Sequence, residues 1–232
     1  MKTLGLIGGT SWVSTVDYYR IINQQINERL GGLNSAKVFL YSMNFEEFKP
    51  PADPNQWGPI GDFLSNIAQR LEIAGAECVV ICANTPHLVA DVVQRNIHIP
   101  LIHIAEVTAV EIKKQKIKRV GLLGTKFTME QNFFKDKLSL QKIEVLIPDA
   151  NDREFVHHCI FNELGKGIFR PETKARYITI IDKLIEQGAE GIIFGCTEIP
   201  MLIKQEDCSV PVFDTTVIHA TAAVEFALST KL

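Results

Sequence analysis

Short apolar runs alternate along this chain with longer segments whose apolar residues recur at helical spacing. Lys2 to Ile7 reads as a strand that ends in Gly8-Gly9-Thr10-Ser11. Ser14 and Thr15 are candidate caps for the helix Val16-Asp-Tyr-Tyr-Arg-Ile-Ile-Asn-Gln-Gln-Ile, and Gly31-Gly32 stops it. Ala36 to Met43 predicts a second strand, ending in Ser42-Met43-Asn44. After a proline-rich loop from Lys49 to Pro59, Ile60 to Ala74 predicts an amphipathic helix and Thr85 to Arg95 another. Ile99 to His103 predicts a short strand, after which the chain crosses to a second half. There the pattern restarts. Val120 to Gly124 and Gln141 to Ile147 read as strands, with a helix opened by Thr125 and another running through Asn162. A loop with Gly165-Lys166-Gly167 precedes a helix from Pro171 to Gln187. Gly191 to Gly195 and Val210 to Phe213 are strands, and Thr216 to Leu228 closes the chain as a helix. Strands alternating with helices predict an α/β protein with mostly parallel, doubly wound sheets.

The two halves are copies in sequence as well as in pattern. Ala74-Gly-Ala-Glu-Cys-Val-Val-Ile-Cys-Ala-Asn-Thr85 aligns without a gap on Gln187-Gly-Ala-Glu-Gly-Ile-Ile-Phe-Gly-Cys-Thr-Glu198. Leu4-Gly-Leu-Ile-Gly8 matches Val120-Gly-Leu-Leu-Gly124, and Ile99-Pro-Leu-Ile102 matches Val210-Pro-Val-Phe213. A repeat in one order predicts two pseudo-symmetric domains, residues 1–105 plus 215–232 and residues 106–214, with a ligand cleft between them. In such sheets ligands bind beyond the carboxyl ends of the strands. The two tips differ at one telling place: Cys196 in the second copy falls on Ala83 in the first.

Composition narrows the class. With 24 Lys and Arg against 27 Asp and Glu, the formal charge is -3 and evenly spread, which gives no case for nucleic acid. Five cysteines without framework spacing read as reduced thiols. The chain enters a strand without a signal-peptide pattern, and its apolar runs are too short to span a membrane. A cytoplasmic protein is expected.

A thiol, a hydroxyl and a carboxylate at Cys196-Thr197-Glu198 form a candidate site. Backbone N–H groups where a helix begins at Ile199-Pro200 could stabilise a thiolate there, and a small buried Cys at a strand end is the plain alternative. Gly8-Gly9-Thr10 lacks both the dinucleotide glycine spacing and a P-loop Lys. A tight turn whose N–H groups hold a carboxylate fits it better than a phosphate site. Lys166 between two glycines could carry a cation to a ligand or sit in solvent. His157-His158-Cys159 resembles a ligand cluster, yet adjacent helical residues diverge, so no metal is expected. His87 and His219 have no evident partner in the sequence and read as core or surface residues.

Leu-Ile-Gly-Gly-Thr-Ser-Trp at the start, Ala83-Asn-Thr-Pro-His87 and Gly195-Cys-Thr-Glu-Ile-Pro200 together resemble the aspartate/glutamate racemase family, which needs no pyridoxal phosphate or other cofactor. The resemblance covers essentially the whole chain, including Thr128-Met-Glu-Gln131 and Val212-Phe-Asp-Thr215. It implies a homodimer acting on a dicarboxylic amino acid, with one cysteine of each domain on opposite faces of the α-carbon. Cys196 is then the catalytic thiol of the second domain. Asn84, Thr85, Thr197 and Glu198 border the substrate, and Thr10 and Lys166 are placed to hold carboxylates. Ala83 stands where the first catalytic Cys is expected, which implies a one-sided or impaired racemase. Cys82, Thr85 or a held water are the candidate substitutes, although strand alternation turns Cys82 away. A single-cysteine decarboxylase of the arylmalonate type and a non-catalytic amino-acid binding protein are the alternative readings.

Overall fold

The computed structural model describes residues 1–48 and 56–229, so most of the proline-rich stretch expected as a loop lies outside the described residues. The chain divides into two compact units. One holds residues 1–104 and those from Thr216 onward, and the other spans Ala105–Thr215.

The first unit runs β1 (Leu4–Gly8), α1 (Trp12–Leu30), β2 (Val38–Ser42), a 3-10 turn (Phe45–Phe48), α2 (Gly58–Ile73), β3 (Cys78–Ile81), a second 3-10 turn (Thr85–Val89) and α3 (Ala90–Arg95). α4 (Ile104–Lys114) leads into the second unit, which continues with β4 (Arg119–Gly124), α5 (Lys126–Glu130), α6 (Asn132–Ser139), β5 (Glu144–Leu146), α7 (Ala150–Asn162), α8 (Pro171–Glu186), β6 (Ile192–Gly195), α9 (Ile199–Leu202) and β7 (Val212–Asp214). α10 (Thr215–Leu228) closes the chain. The sheets have the orders β2-β1-β3 and β5-β4-β6-β7, and every pairing is parallel.

The sheet registers carry the sequence repeat into space. Gly5 pairs with Val79, and Gly121 pairs with Ile192. Val79 bridges Leu101, as Ile192 pairs with Val212. The repeated Gly-Ala-Glu is scaffolding. Gly75 and Gly188 take φ of 101° and 97°, a left-handed conformation that glycine adopts without a Cβ penalty. The next N–H then reaches back to close the helix, Ala76 to Leu71 O and Ala189 to Leu184 O, both at 3.0 Å. Each Glu ties that helix end to the central strand: Glu77 Oε2 accepts from Thr3 N at 2.8 Å, and Glu190 Oε2 accepts from Lys118 N at 2.7 Å.

In the first unit helices cover both faces of the sheet. Leu4, Leu6, Cys78, Val80 and Cys82 pack with Tyr18 and Ile22 of α1 and Ala220 and Val224 of α10. Alternation sends Gly5 to the other face, where a Cβ would lie 2.9 Å from Ala76 Cβ and 3.3 Å from Leu71 Cβ. In the second unit Leu123, Ile192, Phe194 and Cys196 pack with Tyr177, Ile181 and Leu184 of α8.

Several expectations are corrected. Ser11, not Ser14 or Thr15, caps α1, its side chain accepting from Ser14 N; Thr15 is drawn inside because its Oγ1 accepts from Gly9 N at 2.9 Å. The strand expected over Ile99 to His103 is a single bridge at Leu101, because α4 begins at Ile104 and leaves no length for a ladder. The Gln141 to Ile147 strand shortens to Glu144–Leu146, since Gln141, Lys142 and Ile143 bond back to α6 in a turn. Thr85 to Arg95 is a 3-10 turn followed by α3 rather than one helix. α4 went unassigned in the sequence, although buried Ile104, Thr108 and Ile112 keep helical spacing.

Candidate active site

In the second unit, β6 delivers its last residues to the carboxyl edge of the sheet. Gly195 allows a close fit there, since a Cβ would lie 3.0 Å from both Leu123 O and Thr128 Cγ2. Cys196 follows, only 8% exposed. Its Sγ donates to Glu198 Oε2 at 2.9 Å, and the Thr197 hydroxyl donates to the same oxygen at 2.7 Å. Backbone N–H groups of Glu198 and Thr197 also meet the sulfur and favour the thiolate. They are outweighed. Burial first, then the Glu198 charge and its hydrogen bond, hold the thiol well above the ordinary range. Cys196 therefore rests as a neutral thiol, which corrects the expectation of a stabilised thiolate. Tyr177 lies near this pair, buried, its hydroxyl donating to Val156 O at 3.3 Å.

Lys166 is exposed on a 3-10 turn, Leu164–Lys166, that Gly167 ends in the left-handed conformation. Leu164 anchors this turn in the same core as Cys196 and Ile199.

In the first unit, Ala83 follows β3 at the equivalent edge. His87 Nδ1 lies 2.8 Å from Ala83 O. A carbonyl only accepts, so this nitrogen carries the proton and braces the tip. Burial, then His103, push the His87 imidazole well below its usual pKa, so it is neutral. Asn84 is buried and Thr85 half-buried at the opening of the 3-10 turn. Ser14 Oγ donates to Cys82 O at 3.3 Å, joining the start of α1 to the same tip. Thr10 Oγ1 is buried and makes no hydrogen bond among the described residues.

The Gly8-Gly9 turn is occupied by its own backbone. Gly9 has φ 93°, and a Cβ there would come 2.0 Å from Met43 O. Its N–H is already given to Thr15. The turn has a structural role, and because the Gly9 N–H is taken, neither the carboxylate expected there nor a phosphate finds a free donor in Gly9.

Cys82 lies in the α1/α10 core, and burial raises its thiol far above the ordinary range. The alternation expected from strand geometry is what turns it from the Ala83 face. His157 Nδ1 accepts from Lys126 N at 3.1 Å, His158 is exposed and Cys159 is buried, so these three residues diverge. No group of three metal-ligating side chains occurs among the described residues. Sequence reasoning missed the roles of His87 and His219. His219 Nε2 donates to Ile102 O at 2.7 Å, and its Nδ1 accepts from the Tyr18 hydroxyl at 2.8 Å. Four-residue spacing from Ala83 to His87 was the available signal for the first. The partners of His219 lie more than a hundred positions away and left none.

These features define a class: a parallel α/β protein of two like units, one bearing a thiol and carboxylate pair at its strand tip. The family model for Asp/Glu/Hydantoin racemase matches residues 7–223, and the chain belongs to that family. A candidate Asp/Glu racemase from Yersinia pestis is 51% identical, with a TM-score of 0.93 and coverage of 99% of this chain and 100% of that one. An aspartate racemase homologue from Pyrococcus horikoshii OT3 is 39% identical, with a TM-score of 0.86 and coverage of 99% and 100%. The broad specificity amino-acid racemase of Bacillus subtilis is 26% identical over 170 residues, 70% of either chain. No helix among the described residues is long and apolar enough to cross a membrane.

Proposed function

We propose that this protein is a cofactor-independent amino-acid racemase of one-sided competence, using Cys196 to move the α-proton of aspartate or glutamate. One observation carries the reading: at the equivalent ends of β3 and β6, the chain places Ala83 in one unit and Cys196 in the other. Inversion needs a proton carrier on each face of the α-carbon. A thiol can take up and return a proton, and a methyl cannot. Thr85 or a held water must serve on the second face, with a pKa far from neutral and a correspondingly slow step.

The polar groups suit an acidic substrate. The buried Thr10 hydroxyl has an unused hydrogen-bonding capacity, which a carboxylate would take up. Exposed Lys166 supplies a cation, and Asn84, Thr85 and Thr197 supply neutral polar contacts. The relatives support amino-acid chemistry, and their range, from aspartate racemase homologue to broad specificity racemase, sets the compounds to assay first. A homodimer in the cytoplasm completes the proposal.

The test follows the α-hydrogen of L- and D-aspartate and L- and D-glutamate in deuterated buffer by proton NMR, with chiral chromatography alongside. Wash-out from one enantiomer well ahead of inversion is expected. Equal inversion of both enantiomers at the rate of wash-out would overturn one-sidedness. Binding with no wash-out, unchanged in Cys196→Ala, would establish the non-catalytic alternative instead.

A further inference from the structure

We propose that Glu198 is the proton acceptor of Cys196, so that the two side chains act as one pair sharing a proton rather than as a thiol beside a substrate-binding carboxylate. The proposal rests on the reading of Cys196 as the α-proton carrier, and assigns Glu198 a role within it.

The geometry is specific. Glu198 Oε2 lies 2.9 Å from Sγ and accepts its proton as a hydrogen bond, while Thr197 Oγ1 holds the same oxygen from another side at 2.7 Å. Two donors on one oxygen fix the carboxylate where the thiol needs it. Cys196 and Glu198 are 8% and 9% exposed, so bulk water is a poor competitor for this proton. A thiolate formed by losing the proton to solvent would sit about 3 Å from a carboxylate, and two like charges that close strongly resist coexistence. Moving the proton from sulfur to Oε2 avoids this. Transfer within the pair conserves its single negative charge, carried by oxygen at rest and by sulfur when reactive, and that charge passes to the substrate when sulfur takes the α-proton.

The step balances. The S–H bond breaks as an O–H bond forms on Glu198, leaving an electron pair on sulfur. That pair takes the α-proton, and the electrons of the C–H bond stay on the substrate as a carbanion delocalised into its carboxylate. The Glu198 proton is released to solvent, and the restored carboxylate can then draw the substrate-derived proton from sulfur. Return of a solvent proton by the same route reprotonates the carbon, and nothing is oxidised or reduced. Thr197 is a positioning residue in this scheme: it holds the oxygen and moves no proton.

The experiment compares the unmutated protein with Glu198→Gln, which preserves size and an oxygen for Thr197 while removing charge and basicity. Two readouts should move in opposite directions. Alkylation of Cys196 by iodoacetamide at pH 8, followed by peptide mass spectrometry, should speed up several-fold as the repelling charge disappears. Deuterium wash-out from the substrate should slow by roughly a hundredfold or more, the scale of general acid–base catalysis. A variant that exchanges at the unmutated rate, or alkylates no faster, overturns the pair. If the unmutated protein shows no wash-out while Glu198→Gln still alkylates faster, the pair stands and the racemase reading fails. Should Glu198→Gln not fold, the 240 nm difference titration between unmutated protein and Cys196→Ala decides. A Cys196 midpoint above the ordinary thiol range is expected, and one below it overturns the proposal.

Discussion

Acid should unfold the first unit through His219, and the size of the effect follows from its surroundings. Its ring is fully buried between Tyr18 and Ile102 O, with His87 at 5.4 Å between ring centroids and His103 beyond that at 4.8 Å from His87. Burial is the main cause, and the neighbouring His87 the next, that takes its pKa from 6.5 down to about 3. A depressed imidazole pKa means that the unfolded chain binds the proton more readily. Stability is therefore complete above pH 6.5 and falls as pH drops below it, until the folded ring itself titrates. From pH 8 to pH 5 this one group removes about 2 kcal/mol. His87 is shifted in the same direction and adds to the loss. Both tryptophans, Trp12 and Trp57, belong to the first unit, and Trp57 is buried, so urea unfolding followed by tryptophan fluorescence reads that unit. His219→Gln should cost about 1–3 kcal/mol at pH 8, where the Tyr18 hydroxyl loses its acceptor. It should also flatten the pH 8 to pH 5 slope by about 2 kcal/mol, provided the transitions stay two-state. An unaltered slope in the variant would refute the reasoning.

Three further outcomes are expected. Ala83→Cys places a thiol at the register equivalent of Cys196, and chiral chromatography should show inversion rising by roughly a hundredfold or more while wash-out at the Cys196 face changes little. Thr10→Val removes the buried hydroxyl with no lost partner in the protein; melting should stay near the unmutated value, while KM for aspartate or glutamate rises by roughly tenfold, about 1.4 kcal/mol. Gly188→Ala forces a Cβ onto φ 97°, and should lose about 1–2 kcal/mol in chemical denaturation, a change of sheet scaffold rather than of chemistry.

The alternation of apolar runs with helical segments was enough to read the parallel α/β architecture, because each β-strand and its following helix are local objects. The repeat added register: aligning Val79 on Ile192 and Leu101 on Val212 placed residues that do occupy equivalent ladder positions. Elements whose limits depend on distant partners were not legible. Leu101 looks like a strand residue, and only the early start of α4 reduces it to a bridge. Ser14 and Thr15 look like caps as well as Ser11 does. The choice is made by Gly9 N and Cys82 O, which give those two side chains other partners. At the candidate site, the sequence placed Cys196 at a strand tip, where the structure has it, but gave nothing of its electrostatics. Adjacent N–H groups suggested a thiolate; the depth of burial and the direction of Glu198, both tertiary properties, reverse that balance.

A physical logic connects the repeat to the proposed defect. Gly-Ala-Glu occurs in both units because each must close a helix and grip its central strand, and Glu77 and Glu190 do so through the same bond. Beyond the strand ends no such demand acts, and the two tips are free to diverge. Cys196 is buried beside a carboxylate that can take its proton. At Ala83 the chain keeps the bracing, with His87 on the Ala83 carbonyl and Ser14 on that of Cys82, but position 83 itself carries a methyl in place of an acid or base. A tip that keeps its support while presenting a methyl fits the proposed one-sided site, where binding still matters on that side. It also explains why restoring a single sulfur at position 83 should matter more to inversion than to stability, since the backbone that would carry it is already held in place.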